Sequence, residues 1–167
     1  MATLLELIKQ GSVLRWEVDL NPRQQVERVL LLLPRLAQRL DEVLPTAGST
    51  WKIDETPAQQ LDALTASFVA GEPLVIGRQV KYLDWHKRAQ GVWYLKAADI
   101  RLFGWFPRRD HFLATSIGIA EQVKQIRLYH GFGTEVAYCR DQLSLEEPKY
   151  IPGDDPNAVV SNFNYPS

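Results

Sequence analysis

Cysteine, histidine and long apolar runs are all scarce in this chain of 167 residues. The single cysteine, Cys139, excludes an intramolecular disulfide, which is typical of proteins from a reducing cytosol. The longest apolar run, residues 29–33, is far shorter than the roughly 20 residues that a membrane-spanning helix needs. Glu6 and Lys9 interrupt the N-terminal apolar segment, which is therefore unlike a signal-peptide core. These scarcities predict a cytoplasmic protein with no membrane contact.

Several motifs that carry chemistry are also missing. Three scattered histidines and one cysteine give no metal-ligand spacing, so we expect no metal and no cofactor. Residues 131–133 (GFG) are too short for a phosphate-binding loop, and no Gly-x-Ser-x-Gly motif occurs. Cys139 lies beside Val136 and Tyr138 in a helical pattern, which favours a place in the core over a role as nucleophile.

The charges are unevenly distributed although the net charge is only −1. Residues 1–77 carry a net charge of −3, residues 78–111 carry +5, and residues 112–167 carry −3. The basic middle also holds His86, His111 and three of the five tryptophans. This distribution predicts an anion-binding face, although charge varies along any chain.

The first half of the chain shows helical periodicity after a short strand. Residues 2–9 predict a helix, and alternation over 12–20 predicts a first strand. Apolar residues repeat at three and four over 23–44, which predicts a helix kinked or divided at Pro34. Thr56, Pro57 and Gln59 form a capping-box start for another helix that ends at Gly71.

The period then becomes strand-like. Four strands are predicted, at 79–85, 92–97, 100–106 and 111–117, and their close spacing favours an antiparallel meander. A helix is predicted from Gly118, interrupted at Gly131 and Gly133 and resumed from Thr134 to about residue 143. The fold class is therefore α+β, an antiparallel β-meander with helices packed on one face. Residues 1–145 are expected to form one domain, and 146–167 an extended, proline-rich C-terminal tail.

Residues 92–117 (VWYLKAADIRLFGWFPRRDHFLATSI) and the order of elements resemble the RelE/ParE toxin class, including its HigB and phage-derived relatives. In this resemblance, Arg101 stands at the position of the family's characteristic arginine. The resemblance implies a RelE-like fold and a ribonuclease toxin of a type II toxin–antitoxin system. Such an endoribonuclease cleaves RNA by 2′-hydroxyl attack without a metal. It also implies RNA or the ribosome as partner, and an antitoxin protein.

Metal-free RNA cleavage needs a base, a cation for the pentacoordinate phosphate and an acid for the leaving oxygen. Arg101 is the strongest candidate because its guanidinium matches phosphate geometry, and it shares a strand face with Phe103 and Trp105. Lys96 is a candidate second cation, and Lys81 and Tyr82 lie in the adjoining strand. Each also has a plain structural interpretation, such as an exposed strand residue or a pairing of Arg101 with Asp99.

Further basic and aromatic residues are candidates for RNA contacts. Trp85, His86, Lys87 and Arg88 form a basic, aromatic turn, which a solvated hairpin tip would explain equally well. Arg108 and Arg109 also lie in a turn, where solvent exposure is the favoured interpretation. His111 titrates near neutrality and is a candidate acid, and Tyr129 with His130 is another acid–base candidate.

Two other functions remain open from the sequence. One is a non-catalytic interaction module of the same fold, such as an immunity or phage-derived protein, because fold alone does not fix function. The acidic flanks and the long tail favour a protein partner for such a module. The other is a binding module for small anionic ligands at the same basic face. Convergence of Arg101, Lys96 and Lys81 or His86 in one exposed concave site would favour the nuclease, whereas dispersal of these side chains or their pairing with Asp84 and Asp99 would count against it.

Overall fold

The chain folds into a mixed α+β structure around a six-stranded, mostly antiparallel sheet. A computed structural model describes residues 1–46, 48, 53–83, 90–119 and 126–167. Within these residues the α-helices are α1 (Leu4–Gln10), α2 (Pro34–Val43), α3 (Pro57–Val69), α4 (Ile126–Gln142) and α5 (Pro156–Val159). The strands are β1 (Leu14–Arg15), β2 (Val29–Leu32), β3 (Leu74–Val75), β4 (Val80–Tyr82), β5 (Val92–Lys96), β6 (Ile100–Arg108), β7 (His111–Ile119) and β8 (Phe163–Asn164). A 3₁₀ turn over Leu44–Thr46 follows α2.

The main sheet has the order β1-β2-β7-β6-β5-β4. Strands β4 to β7 form an antiparallel meander, which confirms the sequence prediction for this region. Strand β2 pairs in parallel with β7, so the sheet is mixed rather than purely antiparallel. A second, two-stranded sheet joins β3 in parallel to β8 near the C-terminus.

The prediction of a helix over residues 23–44, kinked or divided at Pro34, is wrong before Pro34 and confirmed over Pro34–Val43. Residues 29–32 form β2, which lies between β1 and β7 in the sheet and is almost wholly buried, and the helix begins only at Pro34. A short run of successive apolar residues fits a buried parallel strand as well as it fits a segment of a buried helix. Pro34 is the first residue of α2, where its missing N–H costs nothing, and it does not kink a helix.

Other boundaries also differ from expectation. The first strand is reduced to Leu14–Arg15. Gly118 and Ile119 still belong to β7, so the helix predicted from Gly118 does not include these two residues, and its described part is Ile126–Gln142. That helix runs through Gly131 and Gly133 without a break, because packing on the sheet outweighs the low helix propensity of glycine. The capping box of α3 is present as predicted, with Thr56 accepting from the Gln59 N–H.

Helices cover both faces of the sheet, which corrects the prediction that they pack on one face. On the first face, α2 and α3 contribute Leu36 and Phe68 to a cluster with Trp93 and Phe112. On the second face, α1 and α4 pack on the alternate residues of the same strands. Successive strand residues point to opposite faces of the sheet. Strands that are buried on both faces therefore have almost continuous apolar sequences.

A β-bulge interrupts the pairing of β6 with β7. Phe103 lies opposite Ser116, whereas the next residue, Gly104, lies opposite Ala114, so Thr115 is the extra residue on β7. A Cβ atom on Gly104 would lie 2.1 Å from the carbonyl oxygen of Leu113. Glycine at position 104 therefore permits the close approach of the two strands beside the bulge.

The C-terminal residues pack back onto the sheet. Val159 and Val160 are buried in the first-face cluster, and the Ile151 N–H donates to the Phe106 carbonyl. The buried Arg28 guanidinium fastens this segment by donating to four backbone carbonyl oxygens, those of Phe68, Glu72, Ser161 and Asn162. Asp110 completes the contact, because its carboxylate accepts from both the N–H and the hydroxyl of Ser161.

Candidate functional site

Three of the predicted cations meet at one end of the sheet. Lys96 of β5 lies directly opposite Arg101 of β6, and Lys81 of β4 lies opposite Tyr94, two residues before Lys96. The register therefore places Lys81, Lys96 and Arg101 on the same face, in adjacent rows of three neighbouring strands. We call these three residues the cationic triad. The sequence left open whether these residues converge, and the pairing register of β4, β5 and β6 puts them on one face.

No described carboxylate neutralises the cationic triad. The salt bridges among the described residues join Arg28 to Asp110 and Arg35 to Glu135, and neither involves the triad. Burial lowers the pKa of the Lys96 ammonium below its usual value, and the charges of Arg101 and Lys81 lower that pKa further. Lys81 is exposed, and Lys96 and Arg101 are half-buried. The arrangement concentrates positive charge where an anion can reach it.

Arg101 is held by the backbone at the turn between β5 and β6. Its Nη1 donates to the carbonyl oxygens of Ala97, at 2.5 Å, and Ile100, at 2.9 Å. Its Nε is buried and has no hydrogen-bond partner among the described residues. The alternative pairing with Asp99 does not occur, because Asp99 is buried and accepts from the Gln60 side-chain amide. The guanidinium is thus fixed in position by its Nη1 atom, and its Nε–H is left without an acceptor among the described residues.

An aromatic cluster lies beside the cationic triad on the same face. Tyr94 and Phe103 of the sheet contact Tyr129 and Phe132 of α4, with ring centroids between 4.5 and 6.0 Å apart. Phe132 stacks on Phe103 with the two planes only 6° apart. Tyr129 and Phe132 are half-buried, so part of each ring remains accessible. Tyr94 and Phe132 were not among the residues singled out from the sequence, although Tyr94 shares a strand face with Lys96.

Tyr82 does not join the triad, in contrast to its grouping with Lys81. It neighbours Lys81 in β4 and therefore faces the other side of the sheet, against Trp93 at a centroid distance of 5.1 Å. Its hydroxyl accepts from the Gly91 N–H. A residue that faces away from Arg101 in this way does not reach the same phosphate.

Arg108, Arg109 and His111 lie at the other end of the meander. Strand β6 has nine residues, and at about 3.3 Å per residue Arg101 and Arg108 are about 23 Å apart. The Arg109 guanidinium donates to the Asn157 and Val160 carbonyls and so binds the C-terminal segment. His111 Nδ1 lies 2.9 Å from the Arg109 carbonyl oxygen. The structure does not bring these three residues together with the triad.

The predicted turn of Trp85, His86, Lys87 and Arg88 lies outside the described residues. His130 lies in α4, one residue after Tyr129, and is half-buried.

In the described parts of the chain, no group of three or more His, Cys, Asp or Glu side chains is arranged to hold a metal ion. The described helices include none with the length and apolar character needed to cross a membrane. No protein-family model, no curated protein and no solved structure matches this chain. The resemblance to the RelE/ParE class therefore stays a prediction.

Proposed function

We propose that this protein is a metal-independent endoribonuclease toxin, with its active site at the cationic triad. The observation that carries the proposal is the pair of Lys96 and Arg101 in direct opposition, with Lys81 on the next row and no described carboxylate partner. Cations at adjoining positions that have no acidic partner among the described residues suit a phosphodiester, which presents several negatively charged oxygens. In this proposal the toxin class also implies an antitoxin protein that neutralises the site.

The proposed reaction has the 2′-oxygen of a ribose attack the adjacent phosphorus while the bond from phosphorus to the 5′-oxygen breaks. Lys96 takes the 2′-hydroxyl proton, because its lowered pKa increases the fraction of neutral amine. Arg101 stabilises the extra negative charge on the pentacoordinate phosphate. The Lys81 ammonium donates a proton to the leaving 5′-oxygen. The products are a 2′,3′-cyclic phosphate and a 5′-hydroxyl end.

The half-buried rings of Tyr129 and Phe132 supply the proposed base contacts. Unpaired RNA bases stack on aromatic side chains, and such contacts tolerate many sequences. Both rings lie on the face that carries the triad, next to Phe103. The proposed substrate is therefore single-stranded RNA, whether free or on the ribosome.

The test is induced expression in a bacterial host with growth and messenger RNA integrity followed together. Wild type is compared with Lys81→Ala, Arg101→Ala and the matched control Arg15→Ala, an exposed arginine on β1 at the opposite edge of the same sheet. We expect growth arrest and RNA cleavage with wild type and Arg15→Ala, and neither with the two triad variants. Purified protein should cleave RNA in the presence of EDTA and leave 2′,3′-cyclic phosphate ends.

One observation favours the alternative of a non-catalytic interaction module. The Arg101 guanidinium donates two hydrogen bonds to backbone carbonyls of the β5–β6 turn, as an arginine that only stabilises the turn would do. Normal growth with intact RNA in wild type would contradict the nuclease and support the module. Lys81→Ala keeps the test valid if Arg101→Ala unfolds, because the Lys81 side chain is exposed and makes no hydrogen bond to a described residue.

A further inference from the structure

A cleft of about 280 Å³ lies between α2, α4 and the middle of β7. Strand β2 pairs with β7 only as far as Ala114, and the chain then turns into α2. From Thr115 onward, no described strand lies beside β7 on that side. The cleft opens at this gap in the sheet, and it shares Phe132 with the aromatic cluster beside the cationic triad.

Two buried hydroxyl groups without partners form the floor of this cleft. Thr115 and Ser116 are only 1% and 5% exposed, and neither Oγ atom has a hydrogen-bond partner among the described residues. Both residues line the cleft, at the point where the bulge at Thr115 breaks the strict alternation of β7. A buried hydroxyl without a hydrogen bond costs stability, so a ligand that accepts from both would recover that cost.

Arginines on the first turns of α2 form the wall of the cleft. Arg35 pairs with Glu135 of α4 and also donates to the Cys139 sulfur, so its charge is largely neutralised within the protein. Arg39 is exposed and has no salt bridge to a described carboxylate. Glu42 also lines the cleft and is exposed at its outer part. Arg39 is thus the cation that remains for a ligand.

We propose that this cleft binds the phosphate group of a small phosphomonoester. A phosphate offers enough acceptor oxygens to take two hydroxyl donors and a guanidinium fork at once, whereas a carboxylate offers only two oxygens. The cleft is larger than phosphate alone requires, and the half-buried Phe132 ring lines it. A ring-bearing group attached to the phosphate, such as a nucleoside, therefore fits beside it. This proposal does not rest on RNA cleavage.

The probes are inorganic phosphate, adenosine 5′-monophosphate and adenosine, each titrated into the full chain. Binding is followed by calorimetry and by the amide NMR shifts of residues 115 and 116. We expect saturable binding of the two phosphate-bearing probes and none of adenosine. Tighter binding of the nucleotide than of phosphate would identify a nucleotide-like ligand, and equal binding would identify phosphate itself. Equal binding of adenosine, or no saturable binding of either phosphate probe, would overturn the proposal.

Two variants and one control locate the site. Arg39→Ala should weaken phosphate binding about tenfold or more, as expected for a lost hydrogen bond to a charged group. The double variant Thr115→Val with Ser116→Ala should also weaken binding, yet its melting temperature should not fall, because the hydroxyls have no hydrogen-bond partner to lose among the described residues. Arg15→Ala should bind as wild type does. Unchanged affinity in the double variant would show that the hydroxyls are not the site.

Discussion

Lys96 and Arg101 carry like charges on residues that face each other directly across the antiparallel pair β5 and β6. Like charges in this position destabilise a sheet, whereas opposite charges would stabilise it. Proteins keep such pairs where the charge is used, since perturbed titrating groups concentrate at functional sites. The pair therefore has an energetic consequence that can be measured without any knowledge of the substrate.

Removal of the Lys96 charge should stabilise the fold. We expect Lys96→Met to raise the free energy of unfolding at neutral pH by about 0.5 kcal/mol, within the range for cross-strand charge pairs. Lys81→Met serves as the control, because Lys81 is exposed and does not face Arg101 directly. Urea unfolding measures both. A Lys96→Met variant less stable than wild type would contradict the repulsion.

The same variant has a defined pH dependence. The pKa of Lys96 is lower in the folded protein than the ordinary lysine value of 10.5 that applies when the chain is unfolded. The charged Lys96 ammonium therefore destabilises the fold to the full extent at pH values below the pKa that Lys96 has in the folded protein. This destabilisation fades as the pH rises from that pKa towards 10.5. The stability gain of Lys96→Met should shrink across that window. A gain that stays constant with pH would show that the pKa is not lowered by folding.

The bulge at Thr115 should depend on glycine at position 104. A methyl group there meets the Leu113 carbonyl, so Gly104→Ala should cost about 1–3 kcal/mol and disturb the floor of the cleft. Gly131→Ala is the matched control, because a Cβ at that helical position meets nothing within 4 Å. The control should gain about 0.5–1 kcal/mol. Thermal unfolding distinguishes them, and equal stability of the two variants would contradict the close approach.

The Arg28 guanidinium should hold the C-terminal segment in place. Arg28→Met leaves four carbonyl oxygens and the Asp110 carboxylate without this donor, so we expect a loss of about 3–5 kcal/mol. Limited proteolysis should then cut within residues 146–167 before the rest of the chain. Arg23→Met, at an exposed position, should behave as wild type. Protection of the segment in Arg28→Met would show that Val159 and Val160 suffice to hold it.

The sequence predicts those parts of the fold that depend on local patterns, such as helix caps and strand periodicity. Thr56 and Gln59 marked the start of α3, and alternation marked the meander. Strand β2 was missed because its run of valine and leucines fits a strand and a helix equally, and only the distant β7 decides between them. The period of two placed Arg101 on the face of Phe103, but the common face of Lys81 and Arg101 depends on the pairing register of three strands, which the sequence does not give. Tyr82 was misplaced because neighbouring strand residues face opposite ways.

The cleft beside β7 could not be predicted in this way. Thr115 and Ser116 look like alternating strand residues, and the bulge where both line one cavity depends on Gly104 of the partner strand. The role of Arg28 likewise depends on carbonyls from residues far along the chain. Such contacts leave no local signal in the sequence.

The proposed base, Lys96, should give RNA cleavage a recognisable pH profile. The cleavage rate of wild type should rise with pH and level off at a pH below the ordinary lysine value of 10.5, because the neutral amine accepts the 2′-hydroxyl proton. Lys96→Arg keeps the positive charge but cannot lose its proton in this range, so the rise should vanish and the rate should fall about 100-fold or more. Arg15→Ala should keep the wild-type profile. A wild-type profile in Lys96→Arg would exclude Lys96 as the base while leaving the nuclease itself in place, whereas an inactive wild type would contradict the nuclease.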